Sequence, residues 1–278
     1  MPVAWLVVTP FFLYLTLFLF APAVSVLVGA FKDAEGNATL DNVTTLFDEP
    51  YRGDFKNSIE ISLVTALLGG VLGFLIAYAA IREGTPKVVR TTLTTFSGVA
   101  ANFAGIPLAA AFIAALGTIG VVTRFLADHG FDLYQHGFSL FSLRGIELVY
   151  LYFQIPLMIL VIAPAIDGLQ RQWREAASNL GASPLQFWRY VGLPILTPSL
   201  LGAMVLLFGN SFSAYATAYG LTGGFVPLVP IRIGYFYSGD VLSNPHLAEA
   251  LALGMFVVLG LMMAVYVPLQ RISSRWVR

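Results

Sequence analysis

Glu175-Ala-Ala-Ser-Asn-Leu-Gly-Ala-Ser-Pro-Leu-Gln-Phe-Trp-Arg-Tyr-Val-Gly-Leu-Pro194 separates two long apolar blocks of this 278-residue chain. Around it, 58% of the residues are hydrophobic and 11% are charged, with a mean hydropathy of +0.80. A water-soluble domain of this size needs far more charge to cover its surface. Several apolar runs reach the ~20 residues that cross a bilayer core as a helix. The composition therefore specifies an all-α, polytopic membrane protein in which the quoted stretch is a water-facing elbow. Net charge is zero, so nothing points to a nucleic-acid partner. Cysteine is absent, which excludes disulfides, thiolate metal sites and a cysteine nucleophile.

Outward from the elbow, the apolar runs predict six spans at about residues 3–31, 59–81, 92–116, 146–166, 198–221 and 248–269. The first lacks a basic leader and is too long for a secretory signal, so it is expected to span. Pro10 and Pro22 interrupt it, as membrane helices allow when neighbours satisfy the freed carbonyls. Gly69, Gly70 and Gly73 in the second are small residues that let another helix approach. The third, rich in Ala, Gly and Thr and holding Asn102 and Pro107, suits the inside of a bundle. Pro156 and Pro164 are expected to bend the fourth.

Lysine and arginine bias sets orientation. With both termini cytoplasmic, nine basic residues lie inside (Arg82, Lys87, Arg90, Arg171, Arg174, Arg189, Arg271, Arg275, Arg278). Six lie outside (Lys32, Arg52, Lys56, Arg124, Arg144, Arg232). This topology puts the elbow in the cytoplasm. The expected organisation is a first transmembrane helix and external loop over residues 1–56, then a five-helix core over 57–278 with a cytoplasmic segment at 167–197.

Within the elbow, Trp173, Ala176, Ala177 and Leu180 fall at i, i+3, i+4 and i+7, one face of a short helix. The two alanines leave a notch where another surface could reach the backbone. Gly181 sits where a helix would end in the left-handed conformation. Ser183, Pro184 and Gln186 read as an N-cap, a first-turn proline and a capping box. The second short helix would carry Leu185, Trp188 and Val191 on one face and stop at Pro194. Thr197-Pro198 would then cap the fifth span.

Glu175-Ala176-Ala177, three residues, Gly181, nine residues and Val191-x-Leu193-Pro194 together resemble the EAA signature of ABC-importer permeases, with Val191 where isoleucine is usual. The position between the fourth and fifth spans also matches, and the likeness runs from about Asn57 to the C-terminus, including Ile155-Pro156-Leu157-Met158 and Leu221-Thr-Gly-Gly224. The chain looks most like permeases of the spermidine/putrescine type, a group that includes thiamine, ferric-ion and aminoethylphosphonate importers. The resemblance implies a type I importer fold in which Glu175, Ala176, Ala177 and Gly181 dock on an ATPase. Trp173 and Leu180 join them from the helical face. It further implies an ABC ATPase dimer that binds ATP and Mg, a second permease of a different sequence, and an extracytoplasmic substrate-binding protein. The lipid bilayer surrounds the assembly, and no cofactor is expected in this chain. Solutes such as sugars remain open on the same reading. The rival class, a self-contained channel or secondary carrier, would call for charged mid-membrane residues or repeated halves; neither is visible.

No G-x-x-x-x-G-K-[ST] loop occurs, so ATP would be bound by a partner. Gly209-Asn-Ser-Phe212 departs from an intramembrane serine-protease site at Phe212, and no enzyme is expected. His129, His136 and His246 have no ligand-like spacing and read as solvated loop residues, so no metal site is expected. Asn37 and Asn42 open formal glycosylation sequons. Glu60 and Glu249 stand near the outer ends of their spans and Asp240 in the last external loop, either as ordinary interfacial residues or as a lure for a cationic solute. Asn210, Ser213 and Thr217, at i, i+3 and i+7 of the fifth span, share one face. They are candidates for a translocation path, or for interhelical hydrogen bonds of about 1 kcal/mol each.

Overall fold

The computed structural model describes residues 2–81, 85–238 and 245–274; Arg82, Asp240, Arg275 and Arg278, used in the readings above, lie outside them. The described chain is almost entirely helical. In order come α1 (Pro2–Leu15), a π-helical stretch (Thr16–Phe20), α2 (Ala21–Gly29), α3 (Asp41–Thr45), α4 (Tyr51–Ile81) and α5 (Lys87–Asn102). Then follow α6 (Ile106–Leu116), α7 (Val121–Asp128), α8 (Leu143–Asp167), α9 (Arg171–Asn179) and α10 (Pro184–Phe187). A second π-helical stretch (Trp188–Gly192) leads into α11 (Leu193–Phe212), α12 (Ala216–Thr222), α13 (Val229–Ser238) and α14 (Pro245–Ser274). Among the described residues, six stretches are long and apolar enough to cross a membrane: Val8–Gly29, Tyr51–Ile81, Ile106–Asp128, Leu143–Asp167, Pro184–Phe212 and His246–Arg271.

Prolines decide where these helices bend, continue or stop. Pro22 and Pro194 each follow a π-helical stretch, in which Ala21 N–H bonds the Thr16 carbonyl and Leu193 N–H the Trp188 carbonyl. The wider turn gives the pyrrolidine ring room where a regular helix would clash. Pro194 therefore does not end the second elbow helix, as the sequence predicts; helical structure runs from Pro184 to Phe212. Thr197-Pro198 is likewise no cap. It lies inside α11, with the Thr197 hydroxyl donating to the Leu193 carbonyl at 2.7 Å.

Pro107 is handled differently. Helix α5 stops at Asn102, Gly105 takes φ +77°, and α6 restarts at Ile106. The third span is therefore not a helix over 92–116: α5 is a separate element, and the apolar crossing is Ile106–Asp128. The fifth span also breaks. Helix α11 ends at Phe212 and α12 begins at Ala216, so Asn210, Ser213 and Thr217 do not share one helical face.

The chain divides into two compact units, the first formed by residues 1–56 and 227–260. In this first unit, Val8–Gly29 keeps its apolar side chains exposed, among them Phe11, Phe12 and Phe18, a surface suited to acyl chains. Leu46, Val229, Leu247 and Leu251 form the core, with Phe55 and Phe236 against it. The buried Asp54 carboxylate receives Arg232 Nε and Nη2 at 2.7 and 3.2 Å. That hydrogen bond holds the guanidinium pKa above its ordinary value. His246 is not a loop residue; it lies in the first turn of α14 with Nδ1 2.7 Å from Glu249. Asn42 is buried and gives its amide to the Lys32 carbonyl at 2.6 Å.

The second unit comprises residues 57–226 and 261–278. Here the glycines of α4 act as the sequence predicts. A Cβ at Gly69 would lie 2.8 Å from Gln154, and one at Gly73 would lie 2.6 Å from Met158 and 2.8 Å from the Ile155 carbonyl. Gly70 faces Met204 instead, so α4 is held between α8 and α11. Close backbone approach of this kind replaces the hydrophobic drive that lipid removes. Gly73→Ala should cost about 1–3 kcal/mol by overpacking, read as a lower unfolding midpoint in detergent. Gly98→Ala, with open space at its Cβ, should leave the midpoint unchanged or raise it.

Candidate functional site

The elbow is built as two capped helices meeting at one glycine. At the end of α9, Gly181 N–H bonds the Ser178 carbonyl at 2.9 Å and Ala182 N–H bonds the Ala177 carbonyl at 3.0 Å. With Gly181 at φ +78°, these form a complete Schellman turn. The capping box follows. Gln186 N–H reaches Ser183 Oγ at 3.3 Å, and Ser183 N–H reaches Gln186 Oε1 at 2.7 Å. Four residues, Leu180 to Ser183, thus separate two satisfied helix ends, which leaves the turn little freedom.

The single apolar face predicted for α9 divides in two. Trp173 and Ala177 are half-buried, whereas Ala176 is exposed and Leu180, just past the helix, is 88% exposed. Glu175 is exposed and pairs with Arg171 at 2.6 Å. Leu185 and Tyr190 are also exposed, 79% and 68%. Ala176, Leu180 and Leu185 therefore stand exposed around the Gly181 turn. On the second helix Phe187 is buried, Trp188 and Val191 are half-buried and Leu185 is exposed, so the trio expected on one face does not share one environment.

Tyr78 on α4 anchors the elbow to the bundle. Its ring meets Trp188 edge-on, with centroids 4.6 Å apart and planes at 86°. Gly192 makes this possible, because a Cβ there would lie 2.8 Å from the Trp188 ring. Arg90 on α5 pairs with Asp167 at the end of α8, and Arg174 on α9 reaches the Tyr78 hydroxyl at 3.5 Å. The sequence reading missed these ties. Their partners lie 77 to 110 residues apart, and no local spacing reveals them.

The three path candidates occupy different environments. Asn210 is exposed, and its amide donates to Gln154 Oε1 at 3.4 Å. Ser213 is exposed at the end of α11 and donates to the Gly209 carbonyl at 2.9 Å. Thr217 is buried, and its hydroxyl accepts the Gly105 N–H at 2.8 Å, joining one helix break to the other. Gln154 is fully buried in α8 and donates to the Leu207 carbonyl at 2.8 Å. Tyr150, four residues earlier, donates to the Ala214 carbonyl at 2.6 Å. A glutamine in the middle of an apolar helix was the signal available for this network. Among the described residues, no cluster of His, Asp and Glu could hold a metal ion.

No family model matches the chain. It is 28% identical over 173 residues to the sulfate transport system permease protein CysT of Salmonella typhimurium, covering 61% of this chain and 58% of that one. It is 29% identical over 154 residues to the molybdenum transport system permease protein ModB of Mycobacterium bovis, covering 54% of each. The chain spans 58% to 64% of the length of the curated relatives it first matches. A crystal structure of a bacterial ABC transporter that imports the acidic polysaccharide alginate superposes with a TM-score of 0.72 at 19% identity, covering 98% of this chain and 95% of that one. A crystal structure of a bacterial alginate ABC transporter in complex with an alginate pentasaccharide-bound periplasmic protein superposes with a TM-score of 0.68 at 19% identity, covering 99% of this chain and 94% of that one.

These relatives carry sulfate and molybdenum in their names, and the expectation of a spermidine/putrescine-type permease is corrected accordingly. Gly181→Ala should destabilise the elbow by about 1–2 kcal/mol through its left-handed backbone, and Ser183→Ala by about 1 kcal/mol. Both are read as faster hydrogen exchange at Ala182 and Gln186. Six apolar helices and this superposition describe a multi-pass membrane protein with the fold of ABC importer permeases.

Proposed function

We propose that the chain is the permease subunit of an ATP-driven importer for a tetrahedral oxyanion of the sulfate or molybdate kind. The observation that carries the coupling part is the elbow: a stiff two-helix turn presenting Ala176, Leu180 and Leu185 to water. Apolar side chains held rigid in water are what a docking surface requires, since little ordering entropy is lost when a partner covers them. The partner is an ABC ATPase dimer, which supplies the ATP site this sequence lacks. Glu175, Ala176, Ala177 and Gly181 serve as the EAA-type docking residues, with Trp173 seating the helix and Leu180 entering the partner. A second permease and an extracytoplasmic binding protein complete the assembly. Closure of the ATPase pair then biases the permease between two states.

The substrate part rests on the names of the relatives and agrees with the polar groups near the broken helices. Asn210 keeps a second amide N–H beside the one given to Gln154, and Ser213 can offer its O–H by releasing the Gly209 carbonyl; neither carries a formal charge. An oxyanion accepts hydrogen bonds at every oxygen, so it can pass such donors without being trapped as it would be by a buried arginine. Thr217 takes a structural role in this reading, because its hydroxyl is already used by Gly105.

Leu180→Asp should abolish co-purification of an ATPase from native membranes and reduce labelled-sulfate uptake by about thirtyfold or more, as loss of an interface hot spot does, with the chain still inserted. Molybdate should compete with sulfate, and putrescine should not. Unchanged uptake in Leu180→Asp would remove the docking role, whereas competition by putrescine alone would remove the oxyanion. Ser213→Val should lower uptake without loss of ATPase binding, which separates the path from the elbow.

A further inference from the structure

The cytoplasmic ends of α4, α5, α8 and α9 enclose a cavity of about 280 Å³. Three guanidinium groups line it, Arg90, Arg171 and Arg174, against one carboxylate, Asp167. Arg90 is paired with Asp167 and Arg171 with Glu175. Arg174 pairs with no carboxylate among the described residues; its Nη2 meets the Tyr78 hydroxyl at 3.5 Å, the long limit of a hydrogen bond. Helix ends give the site no net preference, because it gathers the carboxyl ends of α4 and α8 as well as the amino ends of α5 and α9. The positive balance therefore comes from side chains.

Buried Ile81, Ile166 and Phe187 form the apolar wall of this cavity. A low-dielectric wall strengthens any charge interaction made against it. Tyr78 and Trp188 stand at the same level, amphipathic rings of the kind that mark the headgroup layer. A guanidinium holds five N–H donors in a planar fork, which matches two oxygens of a sulfate or phosphate. We propose that this cavity is a cytoplasmic binding site for a tetrahedral oxyanion, held chiefly by Arg174 and secondarily by Arg90. Its source is either free sulfate or the phosphate of an anionic lipid headgroup. A bound oxyanion would link α9 to α5, adding a tie between the elbow and the bundle that the protein groups alone do not supply. The site is independent of which solute is imported.

The test uses the full chain in nanodiscs. In neutral phosphatidylcholine, sulfate replaces chloride at constant ionic strength, and binding is read by calorimetry and by the fluorescence of Trp188 in the cavity wall. Saturable binding that Arg174→Gln weakens roughly tenfold to hundredfold, as loss of charge-assisted hydrogen bonds predicts, identifies the free anion. Arg174→Lys keeps the charge but not the fork and should weaken binding less. No sulfate effect, but selective retention of phosphatidylglycerol that Arg174→Gln abolishes in native mass spectrometry, identifies the headgroup. Circular dichroism checks that each variant is folded. The proposal is overturned if sulfate produces no saturable signal and the folded wild type and Arg174→Gln retain phosphatidylglycerol equally.

Discussion

A backbone carbonyl or N–H left unpaired in hydrocarbon costs several kcal/mol, so every irregularity in a spanning helix must be satisfied from within the protein. This protein interrupts its spans repeatedly, and the second unit is arranged around meeting that requirement. Gln154 covers the Leu207 carbonyl, Tyr150 covers the Ala214 carbonyl, and Thr217 takes the Gly105 N–H. The Thr65 and Ser211 hydroxyls meet at 2.9 Å in the same buried layer. These polar side chains are thus committed to backbone and to each other. The two broken spans consequently depend on each other, because the N–H at one break is answered by the hydroxyl beside the other.

The same demand explains why prolines have three different outcomes. A π-helical turn precedes Pro22 and Pro194 and lets helical structure continue. Pro156, Pro164 and Pro198 lie inside helices without a break. Before Pro107 the chain stops and uses Gly105 to turn. Local sequence names the candidate sites of disruption, and neighbouring helices choose the outcome.

The elbow meets a different condition. Its turn is exposed, so backbone groups there can be hydrated, yet both helix ends that meet at it are capped. Stiffness without burial has a mechanical meaning on the proposed coupling reading: force applied at Leu180 would reach α4 through Trp188 and Tyr78, and α5 through Asp167 and Arg90. Surface ion pairs such as Arg171–Glu175 contribute only about 0–1 kcal/mol, so the caps and the aromatic contact set the rigidity. Gly181 and Gly192 serve unlike purposes in this short stretch. One supplies a left-handed backbone, and the other clears space for a ring.

Hydropathy and composition by themselves determined a six-span helical membrane protein, because transfer of apolar residues into lipid is a local, additive property. The Schellman turn at Gly181 and the box at Ser183–Gln186 were equally legible, since caps are made by residues within a few positions of one another. The role of Gly69 and Gly73 was readable as well, though not their partners. Only the tertiary structure decided where the third and fifth spans break, which face of α9 meets water, and that Thr217 serves a backbone N–H. Each of these depends on a group more than fifty residues away, as Gln154 does for Leu207 and Gly105 for Thr217, and no spacing within one helix encodes such a pairing.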